Sequence, residues 1–298
     1  HHPLMAFVAD TRMIANCWLR PGNSSSAHNV QAFLANTLHR LGDKQVCLLR
    51  ADSGFADSTF LDHLDTQPMH YIVALRQNQP LQRALVNAEG WWVLHDEQGK
   101  PVPGIELTRF RYQPEAWSTP RWVIGIRQHI EQRVAPKGKT LNLFADDPVI
   151  GQWRFSALVT DLDLSATVIW RMYRGRADCE NRIKELKYDF AADSFCMKDF
   201  WATEATLNTV MLAYNLMSLL RQALLKTSAV KHSSISVQHT LQTLRYKLFA
   251  KPAYITTESR KPILHLAVAM QQRAWVQGLW DASKTFDLPA KFTPIYSP

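Results

Sequence analysis

The sequence predicts an α/β fold, and three observations carry that reading. Between residues 4 and 75, short apolar runs alternate with amphipathic stretches in the order strand, strand, helix, strand, helix, strand. Residues 88 to 160 hold further strand-like runs separated by Gly, Pro and Asp turns. From Ser165 onward helical spacing dominates.

The elements follow in order. Leu4 to Ala9 and Met13 to Leu19 are apolar runs around Asp10-Thr11-Arg12, as in a hairpin. Pro21-Gly22-Asn23 and three serines make a loop. Asn29 to Leu41 places Val30, Phe33, Leu34, Leu38 and Leu41 on one side of a helix, which Gly42 ends. Gln45 to Ala51 reads as a buried strand ending at Asp52-Ser53-Gly54-Phe55. A short helix, Ser58 to Leu64, and a strand, Tyr71 to Leu75, come next. Within 88–160, strands are expected near Trp91–Leu94, Ile105–Tyr112, Trp122–Ile126 and Trp153–Val159, the last returning to the main sheet. Helices are expected at 166–190, 203–226, 236–249 and 266–283, with a serine-rich loop at Thr227–Ser236.

Composition narrows the function classes. The 298 residues are 46% hydrophobic and 20% charged, which excludes a disordered chain. No apolar run reaches the ~18 residues of a membrane helix, and no signal peptide is visible, so a cytoplasmic protein without membrane contact is expected. Lys and Arg number 34 against 26 Asp and Glu, a net charge of +8 that suits a polyanion such as nucleic acid. A basic protein without such a partner has the same charge. Cys17, Cys47, Cys179 and Cys196 form no CxxC pair, so reduced thiols are expected rather than zinc or disulfides. The chain opens at His1 and not Met, which raises the expectation of an upstream part.

One segment concentrates chemistry: Tyr173-Arg-Gly-Arg-Ala-Asp-Cys-Glu-Asn-Arg-Ile-Lys-Glu-Leu-Lys187. On a continuous helix at ~100° per residue, Tyr173, Arg176, Glu180 and Lys187 share an arc of about 60°. Met172, Cys179, Ile183, Leu186 and Phe190 form the apolar stripe beside it. A carboxylate flanked by cations and a phenol at a core margin suits a divalent metal with phosphates nearby. The ordinary alternative for Arg176 and Glu180 is a solvated i,i+4 ion pair, and that reading is assigned to Glu185, Asp178 and Lys184. Gly175 bears on the arc: a helix break there takes Tyr173 off the shared face. Asp52 is the second carboxylate, at the end of an apolar strand, where side chains of α/β sheets meet ligands. A turn aspartate is the alternative. Trp170 is read as a packing residue against the C-terminal helices or a base-stacking one.

These residues carry a resemblance. Tyr173, Arg176, Glu180 and Lys187 match the Y-(2)-R-(3)-E-(6)-K signature of IS4-superfamily insertion-sequence transposases. Arg50-Ala-Asp-Ser-Gly-Phe55 resembles the segment around the second catalytic Asp of the IS1380 branch, and His2-Pro-Leu4, Leu19–Asn23, Ile183–Lys187 and Ala213-Tyr-Asn-Leu216 resemble other stretches of that branch. The resemblance implies a ribonuclease-H-like core over 1–87, a β-rich insertion over 88–160, the catalytic Glu helix and core completion over 161–226, and a C-terminal helical region over 227–298. It implies a DDE transposase that uses two Mg²⁺ or Mn²⁺ ions for cleavage and strand transfer at the terminal inverted repeats of double-stranded DNA, paired in a synaptic homodimer. Asp52 and Glu180 are then the catalytic, metal-binding carboxylates, and Tyr173, Arg176 and Lys187 the phosphate-gripping residues. The family's first Asp precedes the His-Pro-Leu segment and is expected upstream of His1. Asp10 is the substitute within the chain; Asp161 and Asp163 are read as turn and cap residues near Ser165, with a place near the site as the alternative for Asp161. The other readings are an inactive DNA-binding or dimerisation remnant, and a metal-dependent nuclease with the same core.

Overall fold

A computed structural model describes residues 2–130, 150–195, 197–223 and 240–285. The chain divides into two compact units: His1–Met5 with Trp18–Asp178, and Ala6–Cys17 with Cys179–Pro298. The opening strands, β1 (Leu4–Val8) and β2 (Met13–Trp18), pair only with each other among the described strands.

The first unit is a mixed six-stranded sheet with helices on both faces. Its elements are α1 (Val30–Leu41), β3 (Leu48–Ala51), α2 (Ser58–Asp65), β4 (His70–Ala74), α3 (Gln79–Val86), β5 (Trp92–His95), β6 (Pro101–Tyr112), β7 (Arg121–His129), β8 (Trp153–Thr160) and α4 (Ala166–Arg174). The strand order is β3-β4-β8-β7-β6-β5, and only β3 and β4 run parallel. The strands of the β-rich stretch therefore extend one sheet from β4 through β8, because β8 pairs with β4 on one edge and β7 on the other.

Strand alternation explains the layers. Tyr71 and Val73 of β4, with Val159 of β8, join a core completed by Val30 and Leu34 of α1, Phe60, Leu61 and Leu64 of α2, and Leu81 and Leu85 of α3. Ile72, Leu158, Ile124 and Leu107 point the other way, toward Ala166 and Ile169 of α4. Burial on both faces is why these strands read as near-continuous apolar runs. Gly125 of β7 is required by packing: a Cβ there would lie 2.9 Å from Leu85 Cδ2 and 2.8 Å from Thr108 Cγ2.

Helix α2 follows the Asp52 turn and is fastened at both ends. Asp57 caps it by accepting from the Thr59 and Phe60 amides. Near its C-terminus the buried Arg121 of β7 donates to Asp62 (2.5 Å) and Asp65 (2.6 Å). A hydrogen bond from the Ser118 hydroxyl, and then Arg121, hold the Asp62 carboxyl below the usual range. A depressed folded value means this contribution is present above the unfolded value of roughly 3.9 and is lost as pH falls through the folded one. In Asp62→Asn, melting temperature is therefore expected to fall at neutral pH, and its decline below about pH 4 to be shallower. Parallel declines in variant and parent would refute this.

The second unit packs α6 (Phe200–Ala223) along the edge of β2. Asn215 accepts from the Ile14 amide (2.8 Å) and donates to the Ile14 carbonyl (2.9 Å), Ser218 donates to the Arg12 carbonyl, and Gln222 to that of Thr11. The remaining elements are α5 (Ala177–Phe190), which begins at the end of the first unit, α7 (Leu241–Leu244) running into a π-helical turn at Arg245–Phe249, the hairpin β9 (Ala253–Glu258) and β10 (Lys261–Leu266), and α8 (Met270–Thr285). The expected serine-rich loop lies outside the described residues. Burial, then Glu204, pushes the Cys17 thiol up to about 12, whereas Cys47 is exposed. Alkylation of the native protein near pH 8 is expected to label Cys47 and spare Cys17, read by peptide mass mapping.

Three elements depart from expectation. Helix α3 and the β9–β10 hairpin were not signalled, and the expected helix 166–190 is two helices, α4 and α5, joined by a turn at residues 175 and 176. There the Arg176 amide bonds the Tyr173 carbonyl at 2.8 Å and the Asp178 amide that of Gly175 at 3.4 Å, both reaching back three residues and not four.

Candidate active site

Alternation along β3 sends Leu48, Arg50 and, one step past the strand, Asp52 to the face that α4 covers. Leu48 packs into the α4-side core and Leu49 and Ala51 into the opposite one. The chain then turns tightly. Asp52 Oδ1 accepts from the Gly54 amide (3.0 Å), and the Phe55 amide bonds the Asp52 carbonyl (3.1 Å). Gly54 is needed because a Cβ would lie 2.7 Å from Ser26 Oγ and 2.8 Å from Ser26 Cβ.

Asp52 Oδ2 receives Arg176 Nη2 at 3.2 Å, across 124 positions of sequence. The Asp52 side chain is 47% exposed and that of Arg176 20%. The structure thus brings together Asp52 and Arg176. Tyr173, half-buried on the last turn of α4, packs against the same core as Leu48. The tight turn takes it off the arc calculated for one continuous helix. Glu180 and Lys187 lie on α5 and are both exposed. Seven residues apart within one helix, they keep a common face. They belong to the second unit, and Asp52, Tyr173 and Arg176 to the first.

Asp161 and Asp163 are engaged elsewhere. Asp161 accepts from the Tyr71 amide (2.9 Å) and pairs with His70 Nδ1 (2.7 Å), closing the end of β8 onto the start of β4. By strand register it sits about 10 Å back along the sheet and about 10 Å across it from Asp52, too far to share a metal ion. Asp163 pairs with Arg109 at 2.5 Å, and Asp10 is exposed in the β1–β2 turn. Trp170 packs at the edge of the α4-side core with Arg174 4.8 Å over its ring.

Glu185 differs most from its expected role as a solvated partner. Its side chain is 10% exposed and accepts from Arg182 Nη1 (3.1 Å), Arg221 Nη1 (3.1 Å), the Tyr214 hydroxyl (3.4 Å) and the Leu241 amide (3.3 Å). It is the structural carboxylate of α5, and Glu180 the accessible one. The signal available in sequence was the Ala213-Tyr-Asn-Leu216 segment: Tyr214 reaches Glu185 while Asn215 holds β2.

Mg²⁺ takes one or two protein carboxylates and completes its shell with water and phosphate oxygens. Each Asp52 oxygen accepts one hydrogen bond and the group is half-exposed, so it fits one such ligand. Among the described residues no group of three or more His, Cys, Asp or Glu is placed to hold a metal ion. None of the described helices is long and apolar enough to cross a membrane.

Residues 1–282 match the family model described as Transposase DDE domain group 1. A search of curated proteins finds no match.

Proposed function

The chain belongs to the transposase DDE domain group 1 family, and on that premise we propose that it is the catalytic region of an IS4-superfamily, IS1380-like transposase acting at insertion-sequence ends. The observation that carries the site assignment is Asp52 at the open end of a parallel strand with the Arg176 guanidinium against it. A ribonuclease-H-like core is the proposed frame. The parallel pair β3–β4 and the helix α2 between them support it, with residues 88–160 as an insertion that widens the sheet.

In this reading Asp52 and Glu180 hold the Mg²⁺ or Mn²⁺ ions. Bound there, the metal supplies activation of the attacking water or 3′-hydroxyl and charge stabilisation of the leaving oxygen. Arg176 offers a planar donor fork to a phosphate of the transposon end, Lys187 a point charge and Tyr173 a phenol donor. The excess of cations raises the local concentration of the DNA partner. Two ends must be joined, so a homodimer on double-stranded inverted repeats is the proposed assembly, cytoplasmic and with the nucleoid when bound to DNA.

The test is cleavage of DNA carrying the inverted repeats, with and without Mg²⁺ or Mn²⁺, alongside end binding measured in chelator. Metal-dependent cleavage that Asp52→Asn and Glu180→Gln abolish while end binding persists supports the reading. End binding without cleavage by the unaltered protein selects an inactive DNA-binding remnant. Cleavage without strand transfer selects a nuclease. Cleavage that survives Glu180→Gln overturns the site assignment.

A further inference from the structure

Arg50, two residues before Asp52, has no role in the proposed chemistry, yet its side chain reaches 122 positions along the sequence. Its Nη1 donates to the Met172 carbonyl at 2.7 Å. Met172 lies in the last turn of α4, where carbonyls lack intrahelical partners and the helix dipole is negative, so a guanidinium there is favoured on both counts. The same nitrogen occupies the space a side chain at Gly175 would fill: a Cβ on Gly175 would sit 2.4 Å from Nη1 and 3.6 Å from Cζ. Gly175 has φ −58° and ψ −15°, a conformation open to any residue. The glycine is therefore explained by the Arg50 side chain and not by its own backbone.

These contacts close a ring. Arg50 binds the end of α4, the tight turn at 175 and 176 follows, Arg176 comes out of that turn, and its Nη2 meets Asp52, on the same strand end as Arg50. We propose that Arg50 is a positioning residue: lodged in the space left by Gly175, it fixes the α4–α5 turn so that Arg176 is presented beside Asp52. The inference rests on the reading that Asp52 and Arg176 belong to a DNA-cleaving site, and it assigns a purpose to the Arg of Arg50-Ala-Asp-Ser-Gly-Phe55 and the Gly of Tyr173-Arg-Gly-Arg176.

Two measurements on the whole chain test it. The first is thermal unfolding of Gly175→Ala, Arg50→Ala and the double variant. Gly175→Ala is expected to lower the melting temperature when Arg50 is present. In the Arg50→Ala background it is expected to raise it, since alanine at a backbone conformation open to any residue reduces the entropy of the unfolded chain. An equal shift in both backgrounds overturns the lodging of Arg50 in the space beside Gly175, whatever the protein does to DNA. The second is the salt dependence of transposon-end binding in chelator. Loss of one phosphate contact reduces the slope of log K against log salt by about 1. Arg176→Ala and Arg50→Ala are each expected to show that reduction, and the double variant no more than either. Retention of the parent slope in Arg50→Ala, with the reduction seen in Arg176→Ala, overturns positioning. If Arg176→Ala itself leaves the slope unchanged, the assignment of Arg176 fails and the positioning role fails with it, while the melting cycle still judges whether Arg50 is lodged beside Gly175.

Discussion

Asp52→Asn is expected to lower metal-dependent cleavage of transposon-end DNA by about 10³-fold or more, because metal stabilisation of the transition state amounts to several kcal/mol. The amide keeps the shape of the side chain and its bond from the Gly54 amide, so the turn at residues 52 to 55 should persist. What it loses is the negative charge that a hard cation needs and that now faces Arg176. End binding should hold or strengthen slightly, since a charge repelling phosphate is gone. Asp161→Asn is the control. That carboxylate holds the Tyr71 amide and His70 and lies outside metal range of Asp52, so cleavage should stay within a fewfold of parent. Equal losses in the two variants would mean that Asp52 acts through stability. Quenched cleavage and melting measured on the same preparations separate the cases.

Glu185→Ala is expected to cost about 3–5 kcal/mol of folding stability, the range for removing one partner of a buried ion pair. Two guanidiniums converge on this carboxylate, and their side chains are 1% (Arg221) and 7% (Arg182) exposed. Without Glu185 both remain buried beside each other with too little negative charge, and the Leu241 amide and Tyr214 hydroxyl lose an acceptor. Denaturant midpoints at constant slope measure the loss. Pairing Glu185→Leu with Arg221→Met should recover part of it, because replacing both members of a buried pair by apolar groups is far less costly than breaking it. A loss below about 1 kcal/mol in Glu185→Ala would place the residue among the solvated surface charges. Glu185 differs in this from Glu180, which lies exposed five residues earlier on the same helix.

Local periodicity carried most of the element order. The continuous apolar runs of Gln45–Ala51 and Tyr71–Leu75, packed on both faces, and the helical spacing of Asn29–Leu41, packed on one, are local patterns, and β3, β4 and α1 lie there. Two elements escaped for local reasons as well. The turn of the β9–β10 hairpin is Ser259-Arg260, both at positive φ, without the Asn-Gly or Asp-Gly pair that marks such turns. Helix α3 opens on Asn78 with Pro80 in its first turn, a pairing that reads equally as a loop.

By itself the sequence determined the α/β class, the position of Asp52 at a strand end, the common face of Glu180 and Lys187, and a family signature over Tyr173–Lys187. Each depends on neighbours within two turns of helix or one strand. Only the tertiary structure decided that the helix breaks at residues 175 and 176, where Arg50 fills the space beside Gly175, and that Glu185 is buried, because its partners come from Arg221 and Leu241. It also decided that Asp161 serves β4 and not Asp52, through the pairing of β8 with β4. A side chain's charge is written in the sequence. Whether that charge faces water, a metal or a buried guanidinium depends on residues tens to more than a hundred positions away, which the packing of the chain brings into contact.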